Sequence, residues 1–307
     1  MRQRKSRLQP TRGARFWLAG LGTRGNGNAR QWQWQPIGEA RVIAAVLITV
    51  VTGLTGLLVG SFLTRVIYRI PQGLGSLTRS VCLECALPLR ARDQVPIVSW
   101  VALGARCRRC SRPISARYPL IESVTAVLFL ALAVNFGNRP TDLPALVAYL
   151  FFAAIAVALS FIDLATHTLP NAIVVPAIGI GVVLLSVAAA VTGEWSRLLQ
   201  AVAGGAILFA CYFAFALIYP SGMGFGDVKL AAVIGLYLGW LGWGALAVGA
   251  VSAFLLGGVF SAFLLVLRRA GRKTGIPFGP WMLAGAFVGI FFGTELAASY
   301  LALLGLS

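Results

Sequence analysis

The chain has 307 residues, of which 58% are hydrophobic, and its mean hydropathy is +0.84. This is too apolar for a soluble globular protein of this length, so the composition predicts an integral membrane protein. The net charge is +17 at pH 7, but the Lys and Arg residues lie in a few clusters between apolar runs. Membrane topology explains such clusters better than nucleic-acid binding does, so we expect a lipid bilayer and no nucleic acid as partner.

Residues 1–41 form a polar and strongly basic stretch. They contain nine basic residues against one acid, Glu39, with Gly, Asn, Gln and Trp scattered between them. This composition predicts a flexible basic extension. Its apolar patch at 16–22 is too short for a signal-peptide core or for a membrane span.

Apolar runs long enough to cross a bilayer, about 20 residues each, follow from Val42 onward. The stretch 228–267 is too long for one crossing, and we expect it to fold back near 239–244 into two spans, of which the first is short. The prediction is an all-α integral membrane fold of about eight transmembrane helices. The remaining spans are predicted at 42–67, 120–136, 145–164, 172–192, 199–219 and 279–304, which leaves a small segment at 68–118 and a helical core at 119–307.

Span parity and loop charge predict the orientation. An even number of spans separates the segment 68–118, Asp163, Asp227 and the basic loop 268–275, so all four should lie on one face. That face carries fourteen Lys and Arg residues against two in the opposite loops, and we expect it to be cytoplasmic. The amino terminus would then lie outside, where a basic extension is unexpected. Either the tail is translocated or the true start lies further along the chain.

Two aspartates occupy the ends of predicted spans, where an ionisable group is costly. Asp163 lies in "SFIDLATHTLPN" and Asp227 in "GFGDVK". Taken alone, each aspartate is explained about as well by a structural role as by a catalytic one, with Asp227 as a helix cap and Asp163 as an interface residue. A pair on one face favours the chemistry of an aspartic peptidase, in which two close carboxylates share one proton. One acts as general base on water, and the other polarises the scissile carbonyl and protonates the leaving amine.

Two glycines, Gly224 and Gly226, come directly before Asp227. Because glycine has no Cβ, we expect them to let a substrate backbone approach closely and to let the turn adopt positive φ. A GxGD pattern is weak evidence of a peptidase in a soluble protein, where it fits any turn. Immediately before a membrane span it is much stronger evidence.

Glu122 is predicted near the start of the second span, where a buried carboxylate needs a polar partner. Arg117 and Lys229 are candidates for that partner. A structural ion pair and a role in binding a cofactor both remain open for Glu122 and Lys229.

Four cysteines in the segment 68–118 form two C-x2-C pairs separated by 21 residues. Four thiolates from two C-x2-C pairs suit tetrahedral zinc. So small a segment also needs a bound metal or a covalent cross-link to hold its fold. Two disulfides or redox-active thiols are the alternatives, although a reducing cytoplasm disfavours disulfides. The predicted zinc ligands are Cys82, Cys85, Cys107 and Cys110.

Seven motifs, in order over roughly residues 54–290, resemble those of the bacterial type IV prepilin peptidase family. The resemblance implies catalytic roles for Asp163 and Asp227 and zinc binding by the four cysteines. It implies cleavage of type IV prepilin or pseudopilin leaders at the cytoplasmic face of the bacterial inner membrane. It also implies methylation of the new amino terminus with S-adenosylmethionine as donor. The motifs are "GSFLTRVIYRIP" (60–71), the paired CxxC knuckles, "VPIVSW" (95–100), "RYPLIE" (117–122), "DLATHTLPN" (163–171), "GFGDVK" (224–229) and "IPFGP" (276–280).

The chain departs from the family pattern at a few positions. Ala86 and Ser111 stand where the family commonly has Gly soon after each CxxC, and "DQ" at 93–94 stands where Asp-Asn is frequent. None of these changes removes a metal ligand. The alternative from a different class is a polytopic transporter that moves protons or cations with its membrane-face aspartates, which predicts paired repeats with helices interrupted near mid-membrane.

Overall fold

The computed structural model describes residues 37–75, 85, 91–137, 140–220, 223–267 and 277–305. Within these residues the chain is helical, apart from loops and one isolated antiparallel bridge between Arg106 and Pro113. Short 3-10 helices lie at Ile70–Gln72, Ala91–Gln94 and Pro140–Asp142. The α-helices of the described part are α1 (Ile37–Arg69), α2 (Val98–Ala102), α3 (Arg117–Phe136), α4 (Leu143–Thr166), α5 (Asn171–Thr192), α6 (Trp195–Ile218), α7 (Phe225–Leu241), α8 (Trp243–Val266) and α9 (Gly279–Leu303).

Seven helices of the described part are long and apolar enough to cross a membrane, and α7 is an eighth long helix with only 17 residues. A helix of that length spans about 25 Å, slightly less than the hydrocarbon thickness of about 30 Å. The chain reverses between α7 and α8 at Gly242, whose φ of +124° favours glycine. The predicted all-α multi-pass membrane fold is confirmed, and the count of eight spans is approximate.

The helices begin and end within a few residues of the predicted spans, and the largest difference is at α1, which begins at Ile37 rather than Val42. The contacts described below belong to the unit Glu39–Ser307. Residues 1–36, which hold most of the predicted basic extension, lie outside the described residues. The predicted division of the chain into domains therefore stays a prediction.

Small residues allow the helices to pack closely. A Cβ added at Gly204 in α6 would lie 2.7 Å from the carbonyl oxygen of Gly235 in α7, and one at Gly289 in α9 would lie 2.7 Å from that of Ala245 in α8. Lipid provides no hydrophobic drive between helices, so association depends on this kind of close backbone contact. These two helix pairs therefore tolerate no larger side chain at the contact.

The helices α1 and α3 run antiparallel in similarly close contact. A Cβ added at Gly56 would lie 2.8 Å from Ala126 Cα, and one at Gly60 would lie 2.7 Å from Glu122 Cα. Advancing four residues along α1 thus corresponds to retreating four residues along α3. The register between these two helices is fixed by their glycine contacts.

A buried polar contact joins α4 to α7, the helices that carry the two aspartates. The hydroxyl of Tyr149 donates to the backbone carbonyl of Tyr237 over 2.7 Å, and Phe152 packs on the Tyr237 ring with the centroids 4.6 Å apart. All three side chains are fully buried. The relative position of α4 and α7 is therefore set by a packed core and not by the loops at the helix ends.

Candidate active site

Asp163 lies three residues before the end of α4, and only 5% of it is exposed. Its Oδ2 accepts a hydrogen bond of 3.1 Å from the backbone N–H of Gly279, the first residue of α9. The helix α4 ends because His167 takes a left-handed conformation, φ +53°, and its N–H donates to the Asp163 carbonyl oxygen over 2.8 Å. The Asp163 carboxylate is thus held between the end of α4 and the beginning of α9.

Asp227 lies in the first turn of α7. Its N–H donates to the Gly224 carbonyl oxygen over 3.0 Å, and the Gly224 N–H donates back to Asp227 Oδ2 over 3.2 Å. The second bond is the half of a capping box that the N3 side chain supplies, and it satisfies a backbone donor that the helix itself cannot. The capping role is therefore present, and it engages one of the two carboxylate oxygens.

The two aspartates lie at one end of the helix bundle, as the count of spans predicts, and Leu169 lies close to Gly226 of α7 and to Gly279 of α9. A Cβ added at Gly226 would lie 3.0 Å from Leu169 Cβ, and one at Gly279 would lie 3.5 Å from Leu169 Cδ2. Each carboxylate receives a glycine N–H at Oδ2, and the prediction that the two groups form one catalytic site stays a prediction.

The predicted positive φ in the turn before Asp227 is wrong. Gly224 is extended, with φ −74° and ψ 146°, and Gly226 is already inside α7. Neither is among the described glycines with positive φ. The missing Cβ of Gly226 instead permits close packing of α7 on Leu169, which lies in the connection between α4 and α5. Close approach of a substrate to these glycines stays a prediction.

Lys229 connects the beginning of α7 to the beginning of α5. Its Nζ donates to Asn171 Oδ1 over 2.8 Å and lies 5.0 Å from the centre of the Phe225 ring. Sequence reasoning missed Asn171, because a neutral amide carries no charge pattern that would point to it. The contact holds the first turn of α7, and with it Asp227, against α5.

Glu122 is 93% buried and has a different partner from those predicted. Its Oε2 accepts a 2.7 Å hydrogen bond from the backbone N–H of Ile97. The ion pairs within the described residues are Arg108–Asp93 and Arg197–Glu194, so neither Arg117 nor Lys229 pairs with Glu122 there. The partner of this carboxylate is a backbone N–H, and the amino-acid sequence cannot reveal such a partner because every residue except proline has the same group.

Three of the four predicted metal ligands meet in the fold. The sulfurs of Cys85, Cys107 and Cys110 all lie within 4.8 Å of one another. Thiolates bound tetrahedrally to zinc at about 2.3 Å lie about 3.8 Å apart, so a small contraction would fit the three sulfurs to one ion. Cys82 lies outside the described residues. The cluster can hold a metal ion.

The loop that carries Cys107 is shaped by its own backbone. The Cys107 N–H donates to the Arg112 carbonyl oxygen over 2.9 Å, and the Ser111 N–H donates to the Cys107 carbonyl oxygen over 3.0 Å. Ser111 has φ +55°, a conformation that glycine adopts without strain and other residues adopt at a cost of about 1 kcal/mol. This explains the preference for Gly at that position, which the resemblance had indicated.

An ion pair attaches the same loop to the preceding 3-10 helix. Arg108 donates to Asp93 Oδ1 from Nε over 3.0 Å and from one terminal nitrogen over 2.9 Å. The Asp93 side chain is only 7% exposed. The first residue of the "DQ" pair therefore holds the loop with Cys107 and Cys110 in place.

These features define a class of protein: a multi-pass helical membrane protein with two aspartates at one end of its bundle and a cysteine cluster between its first two spans. The model of the bacterial peptidase A24 N-terminal domain matches residues 54–136, and that of the type IV leader peptidase family matches residues 150–267. The chain belongs to the prepilin leader peptidase/N-methyltransferase family.

Curated relatives with that name align over most of both chains. The protein from Aeromonas hydrophila is 33% identical over 274 residues, which cover 81% of this chain and 92% of the relative. Those from Pseudomonas putida and Pseudomonas aeruginosa are 34% and 31% identical, and the alignments cover 85% and 86% of this chain and 96% of each relative. No solved structure matches the chain significantly.

Proposed function

We propose that the protein is a membrane aspartic endopeptidase that removes the leader of type IV prepilins or pseudopilins and then methylates the new amino terminus. The observation that carries this proposal is the pair Asp163 and Asp227, which come from different helices and are each held at Oδ2 by a glycine N–H. The names of the relatives point to both activities. Neither they nor the described helices, which run without a break through their spans, support the transporter alternative.

The peptidase chemistry follows from the transfer of protons between the two carboxylates, the attacking water and the substrate. With one proton shared between them, the ionised aspartate takes a proton from the attacking water, and the protonated aspartate donates a hydrogen bond to the scissile carbonyl. Collapse of the tetrahedral intermediate breaks the C–N bond, and the leaving amine receives its proton from the pair. The glycine N–H groups engage one oxygen of each carboxylate, so the remaining oxygens serve the water and the substrate.

The location that we propose is the bacterial inner membrane, with the site at its cytoplasmic face. Fourteen Lys and Arg residues on the side that carries both aspartates support this orientation, because positive loops are retained in the cytoplasm. Two carboxylates at one membrane face would suit a peptide substrate that arrives at that face.

The metal that we propose for the cysteine cluster is zinc, bound by Cys85, Cys107 and Cys110 with Cys82 as fourth ligand. A closed tetrahedral site of four thiolates is structural, and it would supply folding free energy to a segment with little core of its own. S-adenosylmethionine would supply an electrophilic methyl group for the new terminal amine. Glu122 and Lys229 already have protein partners, so we assign neither to the methyl donor.

The zinc proposal predicts a loss of bound metal when one ligand is removed. Purified Cys107→Ser protein should fall from about one zinc ion per chain to near zero, because three ligands hold a structural ion much more weakly than four. Cys211→Ser is the matched control, since Cys211 lies exposed on α6. Elemental analysis of both variants decides the matter, and equal zinc content would rule the site out.

Mass spectrometry of a co-expressed prepilin tests the proposed function directly. Cells that produce the protein should yield pilin shortened by its leader and carrying one added methyl group on the new terminal amine. Cells with an empty vector should yield the full-length precursor. A precursor of unchanged mass, in cells whose membranes contain the folded protein, would overturn the proposal, whereas a shortened pilin without the methyl group would remove only the second activity.

A further inference from the structure

The residues 95–103, "VPIVSWVAL", form an uncharged stretch inside a segment that is otherwise rich in arginine. All three valines of this stretch are exposed to a large extent: 44% of Val95, 63% of Val98 and 65% of Val101 is solvent-accessible. A single exposed apolar side chain needs no explanation, but three in seven residues form a patch that indicates a partner. We call residues 95–103 the valine segment.

The height of the valine segment relative to the membrane can be read from α1 and α3. These helices are antiparallel, with Gly60 against Glu122. Continuing that register by five residues places Arg65 beside Arg117, where α3 begins. The 20 residues of α3 measure about 30 Å, which equals the hydrocarbon thickness and leaves little length to spare. Arg65 and Arg117 therefore mark the boundary of the hydrocarbon on this side.

The valine segment is attached on the membrane side of that boundary. The Ser61 hydroxyl donates to the Gln94 carbonyl oxygen over 3.5 Å, and the Ile97 N–H donates to Glu122 Oε2 over 2.7 Å. Ser61 lies four residues before Arg65, or about 6 Å deeper along the helix axis. Because a serine side chain is short, the backbone at Gln94 must lie near the depth of Ser61 itself.

The polar groups around the valine segment are paired within the protein, as a position at the edge of the hydrocarbon requires. The Asp93 carboxylate is paired with Arg108, and the Trp100 Nε1–H donates to the Ile114 carbonyl oxygen over 3.2 Å. The Ser99 hydroxyl donates to the Val95 carbonyl oxygen over 2.7 Å. The side chains of Val95, Val98 and Val101 remain exposed.

We infer that the valine segment lies in the headgroup layer of the membrane that the chain spans, with its three valines inserted among the lipid chains. The exposed arginines that follow it complement the anionic phosphates of that layer, in the manner of interfacial segments that combine an apolar face with basic residues. This placement does not depend on the peptidase activity. The arginines concerned are Arg106, Arg109 and Arg112.

Photo-crosslinking to lipid tests the placement. The photoreactive residue p-benzoylphenylalanine is introduced at Val98, and the full-length protein is irradiated in vesicles of phosphatidylethanolamine and phosphatidylglycerol. Val127, which is 62% exposed in the middle of α3, is the lipid-facing control, and the exposed Gln72 beyond the end of α1 is the water-facing control. Adducts are identified by mass spectrometry.

Position 98 should form lipid adducts within about two-fold of position 127 and at least about five-fold above position 72. A second variant carries the photoreactive residue at Val101, so the test does not depend on the folding of a single variant. Size-exclusion chromatography shows whether each variant is folded. Adducts with a second copy of the chain, or a lipid yield no higher than at position 72, would overturn the inference.

Discussion

Replacing Asp227 by asparagine should lower kcat/KM for leader cleavage by about 10³-fold or more, because the substitution removes a group that must exchange protons during the reaction. Asparagine has almost the same shape, and its side-chain oxygen can still accept the Gly224 N–H that caps α7. The fold should therefore be kept while the chemistry is lost. Initial rates on a purified prepilin, in vesicles, give the measurement, and Asp163→Asn should behave in the same way.

The matched control for these substitutions is Asp142→Asn. Asp142 precedes α4 at the end opposite Asp163, where its side chain accepts a hydrogen bond from Thr141. The same chemical change there should leave the cleavage rate within about two-fold of the wild type, because a partly exposed carboxylate contributes little. If Asp227→Asn protein cleaves as fast as Asp142→Asn protein, the aspartates are not the catalytic pair.

Replacing Gly279 by alanine should reduce kcat for cleavage by about 10²-fold, because displacement of a reacting group by a fraction of an ångström is enough for such a loss. The new Cβ would lie 2.8 Å from Asp163 Oδ2 and 3.5 Å from Leu169 Cδ2. Asp163 cannot retreat easily, since it is buried. The carboxylate must therefore rotate away from the position that the Gly279 N–H holds.

Gly179→Ala is the control for this change, because a Cβ at that position in α5 would meet nothing within 4 Å. It should keep the wild-type kcat, and both alanine variants should unfold at similar temperatures if the Gly279 effect is local to the site. A Gly279→Ala enzyme with wild-type kcat and KM would show that the Gly279 contact does not position Asp163.

The sequence predicted the fold well because membrane helices are encoded by long apolar runs, which leave little room for ambiguity. The division of 228–267 into two helices is an example, since a mostly apolar stretch of 40 residues exceeds one bilayer crossing and Gly242 supplies the turn. The placement of Asp163 and Asp227 at the same end of the bundle also followed, because counting spans assigns every loop to one side of the membrane. Neither inference needs any knowledge of helix packing.

The contacts around the site were less predictable because most of them involve backbone atoms. Nothing in the residue types indicated that the Gly279 N–H would hold Asp163 or that the Ile97 N–H would bind Glu122. The proposed partners of Glu122 were cations, since charge is the property that sequence displays. The expected positive φ before Asp227 was wrong because α7 begins at Phe225, so Gly226 is helical and Gly224 is its extended N-cap.

Both aspartates are held by main-chain donors, and this has a practical consequence for mutagenesis. An alanine scan of the surrounding side chains would miss these two hydrogen bonds entirely, because every residue other than proline brings the same amide group to its position. Replacing a single amide with an ester linkage by chemical synthesis or codon reassignment at Gly224 or Gly279 would delete one donor at a time. Such a backbone substitution measures the contribution of each hydrogen bond to catalysis separately.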